Sequence, residues 1–489
     1  MRHNIRVVST YPPRRCGIAT FARDLATALA HFTGEVGTIR VAAIDREGLR
    51  YDLPVDVVIN QYDLESWADA TKAIIARAKE SDDPTAVLLQ HEYGLDPDAQ
   101  GYDGEGTHFV QLAQVCGQAG LMRLVYLHTV LDEPDSHQRA TLQRLACCAD
   151  GLVVTTESAV ETLVRVYGIE REKLKHIDHG IRMEHPSQYD RLTIKESLGL
   201  EGAFLATTIG MLSPDKGIQY GLEGYAQFIG ESLTEQQREH VVYLIAGCCH
   251  PEFERAEEGG PYREYWGQLE RTMERTGLQW ARTKTLESVD FVRNDVVFLE
   301  VFLDEKTLLQ LYAATNVMLL PYLNMQQISS GILADTLGSG RVAVATKFKY
   351  AVELIHSNKR CSPGMVIGRH ARGILVDPAR PAQLAEALDY LIFNRRRRLQ
   401  MERQAHQRGY QMRWQNSAWA ILQHIGFLQQ QRSMLTERAV NFQRKRTSVF
   451  HKKRPGSPNL RELGRRLPCE ASVVAPGSDG KQCGNFPKE

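Results

Sequence analysis

The chain has 489 residues, 43% of them hydrophobic and 24% charged, and its 59 basic and 59 acidic residues cancel to a formal net charge of zero. At about 150 residues per domain, this length predicts two to three domains with ordinary hydrophobic cores. The composition is that of a globular protein and excludes a chain that is disordered throughout.

The nine cysteines are odd in number, scattered, and never spaced as C-x-x-C. That pattern argues against a disulfide framework and against a zinc site, and it favours a reducing cytoplasm. No apolar stretch approaches the roughly 18 residues that cross a bilayer, and no signal-peptide core is seen near Met1. We therefore expect a cytoplasmic protein that does not span a membrane.

The first half of the chain alternates short apolar runs with helical patterns. A helix is predicted over Ala159 to Gly168, because apolar residues recur at i, i+3, i+4 and i+7 after the Thr155-Thr156 cap. The runs themselves predict buried strands at Ile5–Val8, Ile39–Ile44, Val55–Ile59, Ala86–Gln90, Leu124–Leu127 and Leu152–Val154.

A second series of the same kind begins after the polar stretch from Pro186 to Lys195. The alternation predicts an α/β protein with two doubly wound, Rossmann-like domains. The predicted strands of this half are Phe204–Ile209, Val241–Ala246, Val296–Val301, Val317–Leu320, Val342–Ala345 and Ile374–Val376.

The most informative stretch follows the strand Val317–Leu320. A short polar loop leads into Gln327-Ile-Ser-Ser-Gly331 and then into a helix that ends near Gly338-Ser-Gly340. The first amides of that helix, at Ser329, Ser330 and Gly331, lack intrahelical partners, and the helix dipole makes them attractive to an anion. The sequence therefore predicts a phosphate site here.

In doubly wound sheets, ligands bind beyond the carboxyl ends of the strands. The residues that follow the predicted strands in this way come from both halves of the chain, which indicates a cleft between two domains. Besides the 327–331 loop, they are Tyr11 to Gly17, His91-Glu92, His128, His179-Gly180 and Lys216-Gly217.

Over roughly residues 5 to 435 the chain resembles the GT-B glycosyltransferases of retaining family 4. The glycine loop of that family is similar to Arg15-Cys-Gly-Ile-Ala19, its first-domain histidine to His128, and its Gly-x-Leu-x-x-x-Lys-Gly motif to Gly210–Gly217. More narrowly, Gln90-His-Glu-Tyr-Gly94, Leu127–Leu131 and Asp178-His-Gly180 resemble a subgroup associated with mannose-containing glycans.

The resemblance implies a domain layout. Residues 1–190 would form an acceptor-side domain and residues 191–394 a nucleotide-sugar-binding domain facing it across a cleft. Terminal helices at 395–440 would cross back to the first domain. Residues 441–489 carry 11 Lys and Arg against 4 Asp and Glu, and their Pro, Gly and Ser content predicts a disordered basic tail.

The two-glutamate signature of the family falls here on Gln327 and Asp335. In the family the first position lies near the donor sugar and the second binds the nucleotide ribose, so these roles are the expectation for Gln327 and Asp335. Met211 stands where the family has an arginine, which leaves Lys216 as the expected cation on the diphosphate. Arg14 and Arg15, beside Gly17, are candidates to replace the missing charge.

The chemistry implied is transfer of a hexose, first of all mannose, from a nucleoside diphosphate sugar to a glycan or other hydroxyl acceptor, with retention of anomeric configuration. His128, Lys216 and Gln327 are the expected catalytic residues, and the donor site would hold Gly17, Arg15, Ser329, Ser330, Gly331 and Asp335. No cofactor and no metal are expected, because the Asp96-Pro-Asp98 pair reads as a loop turn.

Two alternatives remain open. The changes at Met211, Gln327 and Asp335 suit a weak or inactive relative that binds a nucleotide sugar or a glycan. A nicotinamide enzyme fits poorly, since the first loop lacks Gly-x-Gly-x-x-Gly. No nucleic-acid partner is expected, and the basic tail is either a solvated segment or a contact to an acidic membrane surface.

Overall fold

The structure is a computed structural model, and it describes residues 2–95, 108–182, 190–249, 260–285, 291, 293–356 and 362–451. Asp96 and Asp98 therefore lie outside the described residues. The chain divides into a compact unit of residues 1–432 and a second unit of residues 433–489.

The first sheet is parallel throughout and has the strand order β3-β2-β1-β4-β5-β6-β7. Its two faces are both covered by helices, so its central strands β1 and β4 are buried along almost their whole length. The strands are β1 (His3–Ser9), β2 (Val36–Asp45), β3 (Val55–Asn60), β4 (Thr85–His91), β5 (Met122–Leu127), β6 (Gly151–Val154) and β7 (Leu174–His176).

The second sheet is also parallel, in the order β10-β11-β9-β8-β12-β13-β14. Both sheets thus step outward from a central strand in two directions, which is the doubly wound arrangement. The strands are β8 (Phe204–Ile209), β9 (Val241–Ala246), β10 (Trp280–Thr283), β11 (Val296–Leu299), β12 (Val317–Leu320), β13 (Val342–Thr346) and β14 (Gly373–Val376).

Helices connect the strands and cover both faces of each sheet. A π-helical turn, Val352–His356, continues the short helix Lys349–Ala351. The helices are α1 (Gly17–Ala30), α2 (Leu64–Ala78), α3 (His108–Gln118), α4 (Ser136–Cys148), α5 (Glu157–Arg165), α6 (Arg191–Ser197), α7 (Ile218–Ser232), α8 (Glu235–Arg238), α9 (Pro261–Thr276), α10 (Glu305–Ala314), α11 (Gly331–Gly338), α12 (Lys349–Ala351), α13 (Pro381–Phe393), α14 (Arg395–Gln411) and α15 (Trp414–His451).

The predicted fold class is confirmed, because the structure has two parallel sheets with interleaved helices, and every predicted strand is present. Two strands escaped prediction, Leu174–His176 and Trp280–Thr283. Both lie at a sheet edge, and both carry polar residues such as Lys175 and Arg282. Edge strands are less buried and need no continuous apolar run, and the short apolar run was the pattern from which the other strands were predicted.

Helix α14 packs on the second sheet through Met401 and Ala405, and α15 then returns to the first sheet. Ile181 donates its amide to Met412 at 2.8 Å, just before α15 begins. Ile421, Ile425 and Leu428 of α15 then pack in the core that includes Val7 and the inner face of α1. Helix α15 continues to His451, past the predicted start of the tail at residue 441, and residues 452–489 lie outside the described residues.

None of the helices in the described part of the chain combines the length and the apolar character needed to cross a membrane.

Candidate active site between the two sheets

A cavity of about 580 Å³ lies where the carboxyl ends of the two sheets face each other. Of the residues expected to catalyse the reaction or bind the donor, all but Arg15 line this cavity. The predicted residues that line it are Gly17, His128, Lys216, Gln327, Ser329, Ser330, Gly331 and Asp335.

The glycine loop forms one wall. Cys16 caps α1, because its Sγ accepts from the amide of Ala19 at 3.3 Å. A Cβ at Gly17, the first residue of the helix, would meet no atom within 4 Å, so this wall is open to a ligand.

The two arginines of this loop lie elsewhere. Arg14 is buried, and its guanidinium donates a hydrogen bond to the carbonyl of Ile44 in β2 at 2.9 Å. Arg15 is exposed, does not line the cavity, and stacks on the ring of Phe302 at 5.1 Å. Neither guanidinium stands beside Lys216 in this structure.

His128 is held as a neutral imidazole. Its Nε2 lies 2.7 Å from Oε1 of Gln90, and its ring meets Phe21 edge-on at 4.9 Å. Burial lowers the pKa of His128 to about 3, helped by the nearby His179 and His91. If the Gln90 oxygen accepts, Nδ1 of His128 is the ring atom with a free lone pair.

Of the adjacent residues His91 and Glu92, only Glu92 lines the cavity. His91 is fully buried between Tyr93 and Phe109, does not line the cavity, and has no hydrogen-bond partner on either ring nitrogen within the described residues. Glu92 does line the cavity and accepts from Thr129 Oγ1 at 2.6 Å. Burial raises the pKa of Glu92 above its usual value.

Lys216 is the cation of the opposite wall. It ends the short 3₁₀ turn Pro214–Lys216, and its Nζ lies 3.9 Å from the ring centre of Tyr322. Gly217 follows with φ of 61°, and a Cβ there would lie 2.1 Å from the carbonyl oxygen of Pro321. Only glycine allows this turn to sit so close to the strand end. No carboxylate of the described residues pairs with Lys216.

The predicted anion site is the start of α11. Ser330 is the N-cap, with its Oγ accepting from Leu333 N at 3.3 Å. Gln327 donates from Nε2 to the carbonyl of Ser329 at 2.7 Å, which holds the loop that precedes the helix. The amides at Gly331 and Ile332 remain for a ligand, and both residues line the cavity.

Asp335 lies one helical turn further on. Its Oδ1 accepts from the amide of Arg182 at 3.4 Å, while the Arg182 guanidinium pairs with Asp24 at 2.6 Å. Burial raises the pKa of Asp335 to about 7, against the opposing effect of Arg182. Ionised or protonated, the Asp335 carboxyl can accept a hydrogen bond from a hydroxyl, and the protonated form can also donate one.

Sequence reasoning missed three lining residues that shape this end of the cavity, Asp24, Arg182 and Trp414. Asp24 sits on the first helix, Arg182 in the connection between the sheets, and Trp414 at the start of the last helix. These residues contact parts of the chain that are distant in sequence, so no local spacing of residues predicts that they line the cavity. Charge on the helix that carries Gly17 was the one available signal.

One rim of the cleft is closed by contacts between the two halves. Glu353 accepts from the amides of Glu157 and Ser158 at 2.9 and 2.7 Å, and so caps α5 from the other half of the chain. Lys349 pairs with Asp132 at 2.7 Å. A ligand in the cavity would therefore be shielded from solvent on this side.

Solved structures that resemble this chain include GT-B glycosyltransferases. HepE from Anabaena, solved with UDP, matches with a TM-score of 0.62 and 17% identity over 87% of this chain and 100% of HepE. Sucrose-phosphate synthase from Thermosynechococcus elongatus matches with a TM-score of 0.59 and 15% identity over 87% and 99%.

A third neighbour is the UDP-forming trehalose-phosphate synthase of Burkholderia xenovorans, solved with glucose-6-phosphate. It matches with a TM-score of 0.58 and 14% identity over 87% of this chain and 100% of that one. Neither a protein-family model nor a curated protein sequence matches this chain. At these identities the likeness establishes the GT-B fold.

Proposed function

We propose that this protein is a glycosyltransferase that uses a nucleoside diphosphate sugar. One observation carries the proposal: Lys216 and the N-terminus of α11 line the same cavity between the two sheets. Lys216 has no carboxylate partner among the described residues. A lysine and a helix end facing one cavity suit a diphosphate. Among the neighbours with this fold, HepE was solved with UDP and with UDP-glucose, and the trehalose-phosphate synthase with glucose-6-phosphate.

The reaction would break the bond between the anomeric carbon and the diphosphate and join that carbon to an acceptor oxygen. The acceptor hydroxyl loses its proton, and the nucleoside diphosphate leaves with the bonding electron pair. Negative charge grows on the leaving oxygen, so Lys216 and the amides at Gly331 and Ile332 stabilise the transition state more than the bound donor. In this proposal they replace a metal ion, and the transferred hexose keeps its anomeric configuration.

The remaining predicted residues have roles that fit their places in the cavity. His128, a neutral imidazole on the acceptor-side wall, would contact the sugar. Gln327 would face the transferred ring as a neutral hydrogen-bonding group. Asp335 would bind the ribose hydroxyls, and Gly17 would let the ligand approach the backbone. Arg15 would reach the donor only if it left Phe302.

The donor base and sugar form the finer part of the proposal. The mannose-associated motifs favour a guanosine diphosphate donor, whereas the neighbours HepE and trehalose-phosphate synthase favour a uridine one. The acceptor would be a glycan or a small sugar hydroxyl. We further propose a cytoplasmic protein whose basic tail contacts an acidic membrane surface.

The alternative is a binding protein without turnover, and one observation favours it. Gln327 replaces the carboxylate expected beside the donor sugar, and its side-chain amide is already bonded to Ser329. A neutral group there cannot stabilise positive charge on the sugar ring. Such a protein would bind the nucleotide sugar with Lys216 and α11 and release it unchanged.

The test is calorimetric binding of UDP, GDP and ADP, followed by turnover of UDP-glucose and GDP-mannose with a mixed glycan acceptor panel. Lys216→Met should weaken diphosphate binding by roughly 10- to 100-fold, because a hydrogen bond to a charged group contributes about 1.5–3 kcal/mol. Lys72→Met is the matched control, since Lys72 is on the exposed face of α2 and pairs with Asp69.

Three outcomes separate the possibilities. Selective nucleotide binding with turnover, both lost in Lys216→Met, supports the transferase. Binding that depends on Lys216 without turnover supports the binding protein. Binding that is equally strong in Lys216→Met and Lys72→Met contradicts the diphosphate site.

A further inference from the structure

His179 has a feature that the proposed mechanism does not use. It lies in the connection between the two sheets, lines the cavity, and has only 8% of its surface exposed. The connection is fixed on both sides of it. Before it, Asp178 pairs with Arg408 and accepts from Ser417 through its carbonyl at 2.8 Å. After it, Ile181 donates its amide to the carbonyl of Met412 at 2.8 Å.

Packing also fixes the ring. Phe21 meets His179 edge-on at 5.1 Å, and Trp414 lies at 5.5 Å. A Cβ at Gly180 would lie 2.1 Å from the ring of Trp414, so the absence of a side chain at 180 lets the tryptophan close over the connection. His179 therefore has little freedom to choose another orientation.

The hydrogen bonds of His179 determine its tautomer. Nδ1 lies 2.6 Å from the carbonyl oxygen of Gly180, and a carbonyl oxygen can only accept. Nδ1 therefore carries the hydrogen. Burial lowers the pKa of His179 to about 4, so the ring is neutral at physiological pH and Nε2 holds an unshared electron pair.

Nε2 points toward the start of α11. It would lie 3.6 Å from a Cβ built on Gly331, the first residue of that helix. No group among the described residues donates a hydrogen bond to Nε2. The acceptor thus faces the cavity without a protein partner among the described residues, next to the place where the diphosphate would sit. A ligand that displaces water from Nε2 must replace the hydrogen bond that water can donate, or binding loses free energy.

A phosphate oxygen cannot supply that hydrogen, because at neutral pH it carries none and its lone pairs would repel Nε2. The group attached to the diphosphate on the acceptor side is the sugar, whose hydroxyls are donors. We propose that Nε2 of His179 accepts a hydrogen bond from one hydroxyl of the transferred sugar and so selects the donor sugar. This inference rests on the proposed function.

The experiment is a double-mutant cycle between the protein and the donor. The donor that turns over, UDP-glucose or GDP-mannose, is compared with its 2-, 3-, 4- and 6-deoxy forms in the wild type and in His179→Asn. Asparagine can keep a donor near the Gly180 carbonyl but has no atom at the Nε2 position. His179→Gln returns a polar atom near that position, and His176→Asn is the control outside the cavity.

We expect one deoxy donor to lose roughly 10- to 100-fold in kcat/KM with the wild type, the range for an acceptor left unpaired, and less than threefold with His179→Asn. His179→Gln should restore part of the discrimination, and His176→Asn should discriminate as the wild type does. A purely structural role would lower the melting temperature and affect all donors alike.

Two different failures can be told apart. Turnover in which every deoxy donor loses equally with the wild type and His179→Asn overturns the inference and leaves the proposed function standing. Absence of nucleotide binding and of turnover in the wild type overturns the proposed function and the inference with it.

Discussion

Asp335 should make the stability of this protein depend on pH in a defined direction. The pKa of its carboxyl is about 7 in the folded protein against an ordinary value of 3.8 in the unfolded chain, because burial disfavours the charge. Since the folded pKa is the higher one, ionisation costs folding free energy. The cost is absent below pH 3.8, grows as pH rises, and is complete above about pH 7.

The size of the effect follows from the shift. A difference of about three pKa units corresponds to about 4 kcal/mol, of which roughly 2–3 kcal/mol would appear between pH 5 and pH 8. Asparagine at 335 keeps an oxygen for the Arg182 amide and cannot ionise. The Asp335→Asn variant should therefore gain stability over the wild type by that amount as pH is raised from 5 to 8.

Urea unfolding of both proteins at several pH values measures this, and taking the difference cancels the titration of every other group. Carbon-13 carboxyl shifts, assigned by their loss in Asp335→Asn, give the folded pKa directly. A difference in unfolding free energy that stays constant from pH 5 to pH 8, or a carboxyl that titrates near pH 4, would refute the reasoning.

Two further substitutions test the local geometry. Gly217→Ala puts a side chain at φ of 61° and against the Pro321 carbonyl, so it should lower the free energy of unfolding by at least about 2 kcal/mol and weaken UDP binding by moving Lys216. Gly230→Ala is the control, because a Cβ at Gly230 has open space, and it should change neither quantity by more than about 1 kcal/mol. Thermal melting measures the stability and calorimetry measures the binding. Glu353→Gln removes the negative charge that caps α5, so it should lower the free energy of unfolding by about 0.5–1 kcal/mol. Urea unfolding measures this, and an unchanged free energy would show that the charge of Glu353 does not stabilise the helix.

The sequence predicted those parts of the site that local patterns encode. The strand Val317–Leu320 is present as predicted, because a continuous apolar run marks a buried strand. The helix after it was also predicted, but its first-turn amides were expected at Ser329, Ser330 and Gly331, whereas Ser330 is the N-cap and the helix begins at Gly331. Lys216 was predicted as a cleft residue because it follows a strand, and strand ends of one sheet face the same cleft.

The rest depends on contacts that no local pattern encodes. The hydrogen bond from the Arg182 amide to Asp335 joins residues 153 positions apart in the sequence. Trp414 contacts Phe21, although nearly the whole sequence of the first unit lies between them. Such pairs follow only after both sheets and the last helix have packed. The burial that shifts the pKa of Asp335 is a property of this packing, so the sequence gives no sign of it.

The same packing decides how charge is distributed in the cavity. Arg182 lines it, but its guanidinium is paired with Asp24, and Arg14 is used inside the first sheet. A diphosphate carries more than one negative charge, and Lys216 would balance only part of it. The amides of α11 must then contribute the remainder, because they are fixed in direction and need no reorganisation when the leaving group forms. A donor bound in this way would depend on the amides of Gly331 and Ile332 as strongly as on the lysine, which would offset the missing second cation at Met211.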